Sequence, residues 1–184
     1  MNFEVNTPPR VLLLPGWQDS GPGHWQTVWE TRLGHTRVQQ HDWLRPLRGD
    51  WTARLETVVR DSPAPVVLAA HSLGCLLVAW WAAHSSQTHR VRGALLVAPP
   101  DIGREDVAPL LPGWQPPARA RLPFPSVLVA SDNDPWCARA HAAGLAADWG
   151  STFHLAGPRG HLNAESGLGD WPEGQALLAS LLEV

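Results

Sequence analysis

Residues 66–77 read VVLAAHSLGCLL: an apolar run of strand-forming residues ends at Ser72, and an equally apolar run of helix-forming residues begins directly after it. Ser72 is the third residue of AHSLG, a variant of the G-x-S-x-G pentapeptide with Ala70 in place of the first glycine. Where a chain reverses this sharply from strand to helix, the serine backbone is strained and the residues two before and two after it must be small. Ala70 and Gly74 meet that demand. The surroundings also suit the motif, since VVLAA reads as the strand and LGCLLVAWWAA as the helix. Ser72 is therefore a candidate nucleophile, against the plainer reading of an ordinary turn serine.

Working outward, other short apolar runs bounded by turn residues recur as RVLLLPG near 10–16, GALLVAPP near 93–100 and PSVLVASD near 125–132. Runs without polar alternation are what strands covered on both faces look like, as in a parallel sheet. TRVQQHDW and STFHLAG are weaker candidates, one after the first helix and one near the end. Between the runs lie GHWQTVWETRL, WTARLETVVRD, SLGCLLVAWWAAHSS, CARAHAAGLAADWG and PEGQALLASLLEV, all helical in character. This alternation predicts a doubly wound α/β fold: a mostly parallel sheet of about six strands with helices on both faces. Its site belongs at the carboxyl ends of the strands. The interval from Pro99 to Pro125 carries eight prolines and reads as a long ordered loop with room for one short helix, too short for a lid domain.

A serine hydroxyl needs a base, and the base needs an orienting carboxylate. With a strand–helix elbow, these partners are expected downstream in the order acid, then histidine. DNDPW follows the fourth strong run and offers Asp132 and Asp134. Asp134 is the stronger choice, because it stands clear of the sheet and Pro135 stiffens the loop behind it; either aspartate also suits a turn. GPRGHLNAESG follows the last strand and places His161 in a glycine-flanked loop. His24 and His71 also fall in loops facing the site, and His71, adjacent to the serine, is expected to pack or hydrogen-bond with its ring turned away. Backbone N–H groups of Leu73, after the serine, and of Trp17, in the loop after the first strand, are the candidate oxyanion donors. That loop, LLPGWQDSGPGHW, lacks the glycine spacing of a phosphate-binding loop. Trp17, Trp136 and His24 are expected to border a shallow, open cleft.

The chain has 184 residues, 44% apolar and 17% charged, with a formal net charge of −3. That length fits one domain over 1–184, with 1–9 as a flexible N-terminus. No basic excess invites nucleic acid, no basic-then-apolar leader opens the chain, and no apolar run approaches the length of a membrane span. Cys75 and Cys137 lack metal or disulfide spacing, so free thiols in a reducing cytoplasm are expected, with no metal and no cofactor. The expected partner is a small acyl substrate rather than nucleic acid or a membrane, and the expected state a monomer or weak homodimer. Eleven tryptophans against no tyrosine leave open whether indoles fill the core or line a pocket.

The ordered blocks PGWQDSGPGHWQ, QHDWLRPLRGDW, VVLAAHSLGC, GALLVAPPD, SDNDPW and GHLNAESG, spread over residues 11–167, resemble the small, lidless α/β-hydrolases that include retinoblastoma-binding protein 9 and many bacterial relatives. The resemblance implies a serine hydrolase with Ser72 as nucleophile, Asp134 as acid and His161 as base, cleaving esters or related acyl groups. It does not carry over the retinoblastoma partner, because LGCLL has Leu77 where an L-x-C-x-E segment needs glutamate. The competing class is a non-catalytic interaction module on the same scaffold, acting through its tryptophans. Within the enzyme class, C–C hydrolase, lyase and haloperoxidase-like chemistry use the same residues.

Overall fold

A computed structural model describes residues 7–183. Its strands are β1 (Arg10–Leu14), β2 (Thr36–Arg37), β3 (Val66–His71), β4 (Val91–Val97), β5 (Ser126–Ala130) and β6 (Thr152–Leu155). They form one sheet in the order β2-β1-β3-β4-β5-β6, every neighbouring pair parallel. Its helices are α1 (Trp25–Leu33), α2 (Arg48–Arg60), α3 (Leu73–His84), α4 (Arg139–Trp149) and α5 (Pro172–Leu182). The connection from β1 runs outward to β2 and the next returns to β3 on the other side of β1. Strand order therefore reverses between β1 and β3, and a crevice opens beyond their carboxyl ends.

Successive strand residues point to opposite faces, and both faces are apolar. Leu12, Leu14, Leu68, Ala70, Leu96 and Leu128 pack with Trp51 and Leu55 of α2, Leu76 of α3 and Leu145 of α4. Val11, Leu13, Val67, Ala69, Leu95 and Val129 pack with Trp25 and Trp29 of α1 and Leu178 and Leu181 of α5. Two buried faces explain why the strands read as unbroken apolar runs. No helix among the described residues is long and apolar enough to cross a membrane.

Four details differ from or refine the sequence expectations. The run 36–43 shrinks to a two-residue β2, because only Val38 beyond it is buried and the Arg37 guanidinium is captured by Asp19 and Glu30 at 2.5 and 2.7 Å. Helix α2 begins at Arg48, three residues before the expected Trp51, with Asp50 in its first turn where a carboxylate suits the helix dipole. The expected flexible N-terminus falls largely on residues 1–6, outside the described residues, while residues 7–9 have no regular structure. The proline-rich interval is an ordered loop with a single 3₁₀ turn at Ala108–Leu110, and Ile102, Val107, Leu111, Trp114, Leu122 and Phe124 sink into the core.

Tryptophan serves this packing in two ways. Trp25, Trp29, Trp51, Trp81, Trp114, Trp149 and Trp171 are buried. Six of these indoles donate an N–H to another segment: Trp25 to the Leu162 carbonyl, Trp29 to Asp170, Trp51 to Asp42, Trp81 to the Glu56 carboxylate, Trp114 to Pro46 and Trp149 to Ala118. Each fills volume while tying a helix or loop to its neighbour.

The elbow requires Gly74, because a Cβ there would collide with the Leu14 carbonyl oxygen of β1, whereas a Cβ on Gly144 in α4 would meet nothing within 4 Å. Gly74→Ala is expected to lower the unfolding free energy by about 1–3 kcal/mol. Gly144→Ala, relieved of glycine's entropy in a helix, should leave it unchanged or raise it by up to about 1 kcal/mol. Urea midpoints of the two variants check this, and equal shifts would contradict the close approach of β1 to α3.

Candidate active site

Ser72 sits between β3 and α3 with φ 53° and ψ −122°, and its N–H donates to the Val97 carbonyl of β4 at 2.8 Å. Gly16, in the loop after β1, lies close enough that a Cβ would stand 2.8 Å from the Ser72 Cβ and 3.2 Å from the Leu73 nitrogen. The β1 loop is thus pressed against the elbow, and Trp17, Ser72 and Leu73 line one cleft. Leu73 is the first residue of α3, so its N–H has no partner in the helix and lies at the positive end of the helix dipole. Among the described residues neither the Trp17 nor the Leu73 N–H is taken by another acceptor. The Trp17 indole N–H donates to the Leu44 carbonyl, which fixes that side chain at the rim.

The loops after β5 and β6 bring the other two residues to the serine. His161 Nε2 lies 2.9 Å from Ser72 Oγ, and His161 Nδ1 lies 2.9 Å from both carboxylate oxygens of Asp134. The His161 side chain is 10% exposed and that of Asp134 2%. Asp134 also accepts the Trp136 N–H at 2.9 Å, which fixes the carboxylate in its loop. Asp132, the other candidate acid, is exposed, and among the described residues its carboxylate reaches only Arg139, at 3.3 Å. The three residues singled out from the sequence therefore meet in one hydrogen-bonded row, and Asp132 stands outside it.

Sequence reasoning missed what holds His161 in place. Ser131 Oγ accepts the Arg159 N–H at 2.8 Å, and Asn133 Oδ1 accepts the Gly160 N–H at 2.7 Å, so the β5 loop braces the His161 loop from one side. From the other side the His161 carbonyl meets His71 Nε2 at 2.8 Å and the Leu162 carbonyl accepts the Trp25 indole N–H at 3.0 Å. Leu162, fully buried, is held at φ 50° between these ties. The only signal in the sequence was the polar cluster SDND after the strand, which reads equally well as a turn.

The cleft over the serine has a volume of about 590 Å³, walled by Trp17 and Trp136 with Pro100 and Leu110 from the proline-rich loop. Trp136 lies against the imidazole of His161, ring centroids 6.0 Å apart. His24 reaches the cleft wall but is 4% exposed, more enclosed than a rim residue. Its Nδ1 accepts the Gln26 N–H at the start of α1, and its Nε2 faces His71 Nδ1 at 3.3 Å. Burial pushes His24 down to about 3, assisted by the charge of Arg37, and pushes His71 well below its ordinary value. Burial raises the two free thiols instead, Cys75 well above the usual range and Cys137 to about 12, which leaves both unsuited to act as nucleophiles.

Acid stability follows from His24. In the unfolded chain an imidazole takes up a proton near 6.5, whereas His24 in the folded protein does so only near 3. Between those values the unfolded state binds more protons, so stability is lost as pH falls, by about 1.4 kcal/mol per pH unit for each such histidine. The urea midpoint should drop between pH 6.5 and 5, and His24→Asn, which keeps an oxygen to cap α1, should drop less steeply. Parallel curves for wild type and variant would contradict a neutral buried His24.

The chain was also compared with known proteins. A family model described as Serine hydrolase matches residues 11–180. Among solved structures, a YdeN-like hydrolase from Pectobacterium atrosepticum is 30% identical with a TM-score of 0.83, covering 96% of this chain and 91% of that one. The ydeN gene product of B. subtilis is 18% identical with a TM-score of 0.77, covering 96% and 100%. The carboxylesterase of Bacillus cereus is 16% identical with a TM-score of 0.61, covering 95% and 89%; at such identity these last two speak to the fold alone. No curated protein matches the chain. The α/β-hydrolase architecture, the family match over nearly all the described sheet and the Pectobacterium relative lead to one assignment: this chain belongs to the serine hydrolase family.

Proposed function

We propose that the protein cleaves small carboxylic esters through an acyl-enzyme on Ser72. The observation that carries this reading is the row of 2.9 Å contacts from Ser72 Oγ through His161 to Asp134, with the carboxylate almost wholly buried. His161 Nε2 takes the hydroxyl proton as Ser72 Oγ attacks the ester carbonyl. Asp134, accepting from Nδ1–H, keeps Nε2 free as the base and stabilises the imidazolium that forms. The Trp17 and Leu73 N–H groups receive the oxyanion of the tetrahedral intermediate, where each donor is worth about 10²–10³ in rate. Collapse expels the alcohol, which takes the proton back from His161, and water then repeats the attack on the acyl-serine to release the acid and restore Ser72.

The dimensions of the cleft support the substrate class. About 590 Å³ between two indoles, bordered by a loop rather than by a domain, suits short or flexible acyl groups. The order of its blocks further supports placing the chain near the small hydrolases that include retinoblastoma-binding protein 9. Two buried, unpaired thiols fit a reducing cytoplasm as the site of action. A monomer or weak homodimer acting on a small molecule completes the reading.

Labelling with a fluorophosphonate probe tests it. Wild type should label stoichiometrically, and Ser72→Ala and His161→Ala should not label at all. Asp134→Asn should lower kcat on short-chain esters by about 10⁴-fold with little change in KM, while Asp132→Asn should stay within about twofold of wild type. A folded wild type that does not label would refute the proposal and leave the non-catalytic interaction module as the better description. Labelling without ester turnover would keep the nucleophile and move the substrate to thioesters or amides.

A further inference from the structure

Behind the base, the hydrogen bonds have a direction. The His161 carbonyl can only accept, so His71 must carry its proton on Nε2, 2.8 Å away. A neutral His71 then has a bare Nδ1, which can only accept from His24 Nε2–H at 3.3 Å. His24 in turn has a bare Nδ1, and that atom accepts the Gln26 backbone N–H at 3.1 Å. Every donor and acceptor is matched, and only one pair of tautomers matches them. The row begins at the N-terminus of α1, crosses the end of β3 and ends on the backbone of the residue whose ring faces Ser72.

Resting on the reading of His161 as base, we propose that His24 and His71 are positioning residues, a tautomer-locked strut from α1 that fixes the His161 backbone and so sets its ring against Ser72. The loop after β6 needs such a strut, because Leu162 beside the base is held at φ 50°, a conformation that relaxes unless neighbours hold it. His71 is also the residue before the nucleophile, so one side chain couples the elbow to the loop of the base. The strut works only while both rings are neutral, since a proton on either would set two N–H groups against each other. The charges that face it fit that state. Arg37 lies toward His24 with its own charge matched by Asp19 and Glu30, and His161, tied to Asp134, is the other titratable neighbour of both rings.

The test uses the full chain. In protein labelled with ¹⁵N-histidine at pH 7.5, the ring nitrogens of His24 and His71 should report two Nε2–H tautomers. A Nδ1–H tautomer or an imidazolium at either residue would overturn the proposal. His71→Leu should slow fluorophosphonate labelling and lower kcat about 10–100-fold with KM unchanged, the scale of a misplaced catalytic group. His71→Gln, which carries a non-titrating N–H donor toward the His161 carbonyl, should recover most of that loss. A His71→Leu variant with wild-type near-ultraviolet circular dichroism and wild-type labelling rate would overturn the strut, as would a glutamine variant no faster than leucine. Were His71→Leu not to fold, the ring-nitrogen spectra of wild type and the glutamine variant still decide. Failure of wild type itself to label refutes the proposed hydrolase function instead, and leaves the tautomers to be judged separately.

Discussion

Ser72 is held at φ 53° and ψ −122°, a conformation that costs a residue with a side chain about 1–3 kcal/mol and persists only where its surroundings over-determine it. Here they do. Its N–H is bound by Val97 of β4, the Ser72 carbonyl accepts the Cys75 N–H, and Gly16 and Gly74 let β1 close on the turn from both sides. The central strands therefore fix the backbone that carries the hydroxyl before any substrate arrives. Relaxing that turn would need β1, β3, β4 and α3 to separate, which the two buried faces of the sheet resist.

A serine held so rigidly places a matching demand on the residues that meet it, which do not lie on the sheet. Asp134 comes from the loop after β5 and His161 from the loop after β6, segments that by themselves have no reason to hold one geometry. The structure answers with side-chain ties rather than secondary structure: Ser131 and Asn133 bind the backbone of Arg159 and Gly160, while Trp25 and His71 bind the carbonyls of Leu162 and His161. His161 is thus suspended between the β5 loop and α1. The row from Ser72 to Asp134 is held by those four side chains as well as by its own contacts.

These two kinds of constraint differ in how far the sequence reveals them. The elbow is legible because its demands are local: small residues two before and two after, strand behind, helix ahead. Strand faces are legible for the same reason, since two buried faces write an unbroken apolar run such as RVLLL. TRVQQHDW misled by length because its boundary is set by a tertiary event, the capture of Arg37 by Asp19 and Glu30. The pairing of His24 with His71 joins residues 47 apart, and the tie from His71 to the His161 backbone spans 90. No local pattern encodes contacts at that separation, and a polar cluster such as SDND reads as a turn until the loop it braces is seen beside it.

Tryptophan resolves a related tension in this small fold. A cleft without a lid domain must take its walls from loops, and loops that wall a site must be both exposed and still. Trp114 anchors the proline-rich loop by donating to Pro46, and Trp17 anchors the β1 loop by donating to Leu44. The same stretch, residues 44–46, thereby receives both the β1 loop and the proline-rich loop. An indole suits this role because it buries a large apolar face while its N–H still reaches a backbone acceptor, which a phenylalanine cannot do. Filling the core and lining the pocket are therefore not alternatives here: buried and rim tryptophans are parts of one arrangement, in which the core reaches outward through indole N–H groups to steady the surface that surrounds Ser72.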